Sequence, residues 1–218
     1  MILVHGTSKD ASSKIISSNL INPSQFNFNL YLKSLFALSS KEEKPPKNLN
    51  GQHVMWLGEG IYAFEATDYK LAKTWRTRYG NPKTLEKDCA VIQLELDFSL
   101  VKNSIINFST DEGKSILLNF MDSDFDDLIQ ETNKHDPKSS LKLSHIKNLG
   151  YNIIKEKYID APYVLGLFVE FMINGEFEDV SSVKLIKATF SKENKSSNYL
   201  ETYICIKHNS VIQRLQVC

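Results

Sequence analysis

The nine residues Trp56-Leu57-Gly58-Glu59-Gly60-Ile61-Tyr62-Ala63-Phe64 constrain the fold of this chain more than any others. Two glycines one residue apart mark a place where the backbone takes a positive φ or lets another group come close. An aromatic-aliphatic run follows them, and then a helical pattern from Thr67 to Arg78. A turn entering a buried strand, with Tyr62 and Phe64 in the core, accounts for this window by itself, because Gly-x-Gly alone carries little information. A tyrosine just after such a turn also presents a flat ring beside whatever the glycines admit.

The start of the chain adds a second motif. Ile2-Leu3-Val4-His5-Gly6-Thr7 is a short apolar run that ends in His-Gly-Thr and is followed by a helical pattern. His-Gly-Thr on a first strand, with Gly-x-Gly-Ile-Tyr further along, resembles the ADP-ribosyltransferase superfamily. The branch is the one shared by diphtheria toxin and the poly(ADP-ribose) polymerases, marked by His, Tyr and Glu on three separate strands. The layout is similar to that of small bacterial members, His-Gly-Thr then Leu-Gly-x-Gly-Ile-Tyr-Phe, except that Ala63 stands at the last position and Phe64 follows it.

The resemblance implies an α+β fold in which two packed, mostly antiparallel sheets with flanking helices form a cleft for NAD. It implies one catalytic domain over residues 1–218, with a helical insertion around 108–157. It also implies roles. His5 hydrogen-bonds the adenosine ribose, the Gly6 backbone clamps the nicotinamide carboxamide, and Tyr62 stacks on the nicotinamide ring. Thr7 and Gly60 complete the NAD-binding set, and no metal is needed.

The third motif residue is a glutamate that holds the nicotinamide ribose. Tyr199-Leu200-Glu201-Thr202-Tyr203-Ile204-Cys205-Ile206-Lys207 resembles the last motif strand, and Glu201 takes the position. Side chains two apart on a strand share a face, so Glu201 and Tyr203 point the same way. Another register places Tyr203 there instead, and Glu170, Glu176 and Glu178 are alternatives, Glu170 within an apolar, strand-like run. Glu59 and Glu65 flank the tyrosine segment as solvated carboxylates.

Composition sets bounds on function. Lys+Arg and Asp+Glu both number 26, so no global field draws the chain to nucleic acid or membrane. Cys89, Cys205 and Cys218 have neither paired nor metal-ligand spacing, and with no signal peptide this reads as a reducing, cytoplasmic setting. No apolar run approaches the roughly 18 residues of a membrane span. Lys70, Lys73, Arg76, Arg78, Lys83 and Lys87 interleave with Trp75 and Tyr79, a pattern that serves as a solvated helix face with Trp75 in the core or as a single-strand binding surface.

Along the chain, the patterns predict a strand at Met1–His5, a helix over 9–20 and a loop over Ser39–Gly51. Gln25–Leu38 is aromatic-rich and reads as either a helix or a loop. Helices follow over 67–78, 111–131 and 141–154, the last broken at Gly150. Strands are expected at Ala90–Leu96, Val183–Phe190 and Tyr203–Ile206, with a polar hairpin or loop at Ser191–Asn198.

Taken together, the expectation is an NAD-dependent mono-ADP-ribosyltransferase that releases nicotinamide and modifies an intracellular macromolecule, protein or nucleic acid. Small size and the resemblance point to a bacterial toxin of a toxin–antitoxin or phage-defence system, with a cognate antitoxin as partner. Two alternatives stand beside it. An NAD-dependent RNA 2′-phosphotransferase relies on several cleft arginines, which this chain lacks near His5, Tyr62 and Glu201 in sequence. A non-catalytic NAD-fold binding module would keep the fold without the reaction.

Overall fold

A computed structural model of the chain describes residues 1–25, 48–49, 52–53, 56–79, 86–155, 162–174, 182–194 and 197–218. Gln25–Leu38, apart from Gln25, lies outside the described residues, as do Lys83, Glu176, Glu178 and the side chains of Arg76, Arg78 and Tyr79.

The fold is α+β. The strands are β1 (Ile2–Ser8), β2 (Asn48–Leu49), β3 (Gln52–His53), β4 (Ile61–Glu65), β5 (Cys89–Leu96), β6 (Ile105–Asn107), β7 (Leu185–Asn194), β8 (Ser197–Ile206) and β9 (Ile212–Val217). The helices are α1 (Lys9–Ser18), α2 (Tyr69–Tyr79), α3 (Phe98–Val101), α4 (Asp111–Asp122), α5 (Asp124–His135), α6 (Pro137–Lys155) and α7 (Pro162–Asn174). Seven strands form one mixed sheet in the order β6-β7-β8-β4-β1-β5-β9, and β2-β3 pair apart from it. Only β6–β7 is parallel among the described pairs of that sheet. The expectation of two packed sheets is therefore replaced by one continuous sheet.

The continuity runs through β4. Its far end pairs with β1 (Leu3↔Glu65, Val4↔Phe64), and its near end pairs with β8 (Ile61↔Ile206, Tyr62↔Cys205, Ala63↔Ile204). A five-residue strand thus joins two ladders through different halves of its length.

Strand side chains alternate between faces, and each face buries its own core. Val4, Tyr62, Phe64, Val91, Ile186, Phe190, Tyr203 and Cys205 pack with residues of α2 and of α4 to α7. Leu3, Ile61, Ala63, Ile92, Leu94, Ile204 and Ile206 pack on the other face with Ile15 of α1, Ile21 and Val101 of α3. Ser8 caps α1 by accepting from the Ala11 amide, and Thr110 caps α4 by accepting from Gly113, each satisfying an otherwise open helix N–H.

Several expectations change. The first strand runs on to Ser8, so His-Gly-Thr lies inside β1 and not at its end. The pattern over 111–131 divides at Ser123 into α4 and α5. Gly150 does not break α6, which runs from Pro137 through to Lys155. A Cβ at Gly150 would meet Phe168 Cε2 at 2.6 Å and overlap Met121 Sδ, so the glycine is where α6 packs tightly on α4 and α7. The strand-like run Tyr163–Ile173 is helix α7; Leu165–Glu170 is buried at every position, and a helix buried all round has no amphipathic period to announce it. The polar stretch Ser191–Asn198, by contrast, is the expected hairpin: β7 runs to Asn194, β8 starts at Ser197, and those two residues pair. Within the expected loop over Ser39–Gly51, Asn48–Leu49 pairs with Gln52–His53; the rest of it lies outside the described residues.

Candidate functional site

The Gly58–Gly60 turn has nearly every peptide group tied. Gly58 has φ +72° and Gly60 has φ +149°, and a Cβ at Gly58 would overlap the Glu170 carboxylate. The Tyr62 hydroxyl donates to Gly58 O at 2.7 Å and accepts from the Leu57 amide at 2.8 Å. The Glu59 amide donates to Glu170 Oε1 at 2.5 Å. Lys207 Nζ donates to Leu57 O at 2.9 Å and Glu59 O at 2.5 Å, and lies 3.2 Å from Glu170 Oε1. Gly60 exchanges backbone bonds with Ser24.

Glu170 and Lys207 form a buried ion pair, with side chains 7 % and 6 % exposed. The turn, α7 and the end of β8 are thereby fastened at one point. Glu170 does enter this region, but from a helix and not from a strand. Cys205 lies beside it, its thiol facing Glu59 O at 3.4 Å. Burial pushes that thiol up to about 11, so at neutral pH it is protonated and a weak nucleophile.

Tyr62 is a structural member of this turn. The residue is only 7 % exposed, and its hydroxyl shapes the loop that precedes it. His5 meets it through the backbone: His5 Nδ1 is 2.7 Å from Tyr62 O, just past the end of the β1–β4 ladder at Val4↔Phe64. The two side chains do not share a face, because His5 alternates with Val4 while Tyr62 packs with it. Gly6 is held against α2, where a Cβ would overlap the Ala72 carbonyl. Thr7 is buried and pairs with Ala90.

Glu201 lies on the Tyr62 face of β8, four residues before Tyr62's partner Cys205, about 13 Å along the strand. It is buried at 4 % exposure and accepts a hydrogen bond from Tyr203. As expected, the two share a face. Tyr203 is ringed by Trp56 at 4.8 Å, Trp75 at 5.0 Å, Phe64 at 5.2 Å and Phe190 at 5.5 Å between centroids. Asp68 sits close by. Burial, then the charges of Glu65 and Glu201, raise its pKa, and Lys187 opposes them. Lys187 pairs with Glu65 at 2.5 Å, so Glu65 is an ion-paired carboxylate and not a merely solvated one.

The Asp68 shift has a consequence for stability. The folded chain holds this proton more tightly than the unfolded chain, so ionisation above the raised pKa works against folding. Asp68→Asn should therefore be more stable than wild type at pH 7. The gain should disappear as pH falls through the raised pKa and below the ordinary value of 3.8. Urea midpoints at pH 7 and at pH 3.5 measure this, and an equal gain at both would show that the charge is not the cause.

The structure thus arranges the expected residues in two groups: His5, Tyr62 and Gly60 around the turn, and Glu201 with Tyr203 among the aromatics. Trp56, Lys207 and Asp68 belong to these groups and were not assigned from the sequence. A charge inside the otherwise apolar run at Glu170 was the one available signal for the ion pair, since such a charge needs a buried partner. Among the described residues, no group of three His, Cys, Asp or Glu is placed to hold a metal ion, and no helix is long and apolar enough to cross a membrane. No protein family, curated protein or solved structure matches the chain.

Proposed function

We propose that the chain is an NAD-dependent mono-ADP-ribosyltransferase. What supports the reading is the placement of its three motif segments. The strands that carry His5, Tyr62 and Glu201 are consecutive neighbours in the sheet, β1, β4 and β8. They come from sequence positions far apart, and they meet where β4 leaves one ladder for the other.

The reaction breaks the bond between nicotinamide and ribose, and its transition state places positive charge on the sugar. A fixed carboxylate in a water-poor setting stabilises that charge, and this is the role of Glu201. Its bond from Tyr203 fixes the carboxylate's orientation before substrate arrives. His5 is the residue assigned to the adenosine ribose, and its side chain lies on the other face of the sheet from Glu201. Tyr62 serves by holding the glycine turn. The acceptor is an intracellular protein or nucleic acid, and the setting is a cytoplasmic bacterial toxin neutralised by a partner protein. A phosphotransferase would rely on several cleft arginines, and none lies near His5, Tyr62 or Glu201 in sequence; a binding module without catalysis is separated from this reading by nicotinamide release.

Binding is the first test. NAD should raise the melting temperature in proportion to the logarithm of its concentration above Kd, and calorimetry should give a saturable isotherm. A chain that neither binds NAD at millimolar concentration nor cleaves it has another function.

A further inference from the structure

The ladder between β4 and β8 stops short of Glu201. Its last pair is Ala63↔Ile204. From there β4 goes on along β1 at Phe64 and Glu65, while Glu201 is paired with Phe190 of β7. The flank of β8 that β4 covers at Ile204 is therefore open in the ladder at Glu201. The chain leaves β4 by one short 3-10 turn, Ala66–Asp68, and enters α2 at Tyr69. Asp68 ends that turn and feels charges from both banks of the opening: Glu65 of β4, Glu201 of β8 and Lys187 of β7.

An aspartate just ahead of a helix ordinarily caps it. Asp68 does not, since among the described residues it makes neither a hydrogen bond nor an ion pair. Lys187, the cation of the group, is held by Glu65 at 2.5 Å. Burial first, and then Glu65 and Glu201, raise the pKa of Asp68, so its charge works against folding and no structural bond offsets it. A carboxylate kept at such a cost beside an opening is a common sign of a working site. Exposure separates its task from that of Glu201. Glu201 is 4 % exposed, whereas Asp68 is only half-buried and can meet a group that arrives from solvent.

We propose that Asp68 is the general base of the transfer, taking the proton of the acceptor while Glu201 faces the ribose. This rests on the transferase reading and adds acceptor activation to it. When the glycosidic C–N bond breaks, its electron pair goes to the ring nitrogen and nicotinamide leaves neutral. The acceptor's nucleophilic atom forms the new bond to the ribose carbon, and as it does so its proton becomes acidic and passes to the Asp68 carboxylate. A second carboxylate divides the labour: one steadies the sugar cation, the other accepts the proton. The acceptor is then a group with a proton to give, an O–H or N–H. A carboxylate acceptor has none, and Glu65, Asp68 and Glu201 would repel it.

Water and azide are the probe acceptors. Nicotinamide release from NAD is measured for the unaltered chain and for Asp68→Asn, with lysate added as acceptor where water alone gives none, and each rate is repeated in sodium azide. Asp68→Asn should bind NAD as tightly by calorimetry and release nicotinamide about a hundredfold more slowly. Azide should restore most of that rate and give ADP-ribosyl azide, because it arrives as an anion with no proton to lose; the unaltered chain should gain little from it. The asparagine variant is expected to be the more stable one, so its urea midpoint separates lost catalysis from lost folding.

Two results would overturn the proposal: release by Asp68→Asn within about twofold of the unaltered rate, or a slow, folded Asp68→Asn that azide does not restore. Absence of NAD cleavage in the unaltered chain, with and without lysate, instead removes the transferase reading, and the proposal with it.

Discussion

Glu201→Gln will bind NAD nearly as tightly as wild type and transfer ADP-ribose about a hundredfold more slowly, or worse. Glutamine keeps the size and retains an oxygen to accept from Tyr203, so the ground-state complex changes little. What it removes is the negative charge. A preorganised electrostatic group is worth about two to three orders of magnitude when it acts on charge that develops only in the transition state. The position also separates lost catalysis from lost folding. Glu201 is 4 % exposed, and a neutral amide is easier to bury than a carboxylate, so the variant should melt no lower than wild type. Single-turnover transfer, with NAD affinity measured by calorimetry, gives both quantities. Full transfer activity in Glu201→Gln would move the role to another group, Tyr203 or Glu170 first.

Lys207→Met should have the largest effect on stability. It strands the Glu170 carboxylate at 7 % side-chain exposure and takes the donor from two turn carbonyls, those of Leu57 and Glu59. Removing one member of a buried ion pair costs about 3–5 kcal/mol, because the other is left buried and charged. Adding Glu170→Gln to Lys207→Met should recover much of the loss, since the amide oxygen can still accept from the Glu59 amide while the stranded charge is gone. Urea unfolding at constant m measures this. A loss below about 1 kcal/mol in the single variant would mean that the pair is no better than a surface salt bridge.

How much of this was legible in the sequence depends on how local the cause was. The first strand, α1 and β5 follow from short-range patterns: an apolar run, a helical stripe and an alternation. Ser8 and Thr110 then fix helix starts by bonding within four residues. Helix α7 was misread because its core positions are buried on every side, so no period distinguishes it from a strand. Gly150 was misread because its reason is a neighbour: α6 needs a glycine where Met121 and Phe168 come close, and no local rule contains that. The edge strands β6 and β9 escaped notice for other reasons. β6 has three residues, and β9 has half-buried or exposed side chains throughout, without a two-residue alternation.

The site shows the same division. His5, Gly6, Tyr62 and Glu201 were singled out because the motifs they resemble are written in short stretches of sequence, and the structure sets those stretches on neighbouring strands. The Glu170–Lys207 pair was not, because its members are 37 residues apart and meet only through the packing of α7 on β8. The tryptophan pair was half seen: Trp75 was expected in the core of its helix, but its meeting with Trp56 depends on the turn at Gly58. Tyr62 was given an aromatic role from its place in the motif; its hydroxyl's two backbone bonds become visible only when the turn closes back on the ring.

Nicotinamide release from NAD by the purified chain tests the central claim most directly. The expected result is time-dependent release, hydrolytic at first and faster with cell lysate as acceptor, in wild type and not in Glu201→Gln. No release from millimolar NAD by the folded wild-type chain, with or without lysate, would contradict it.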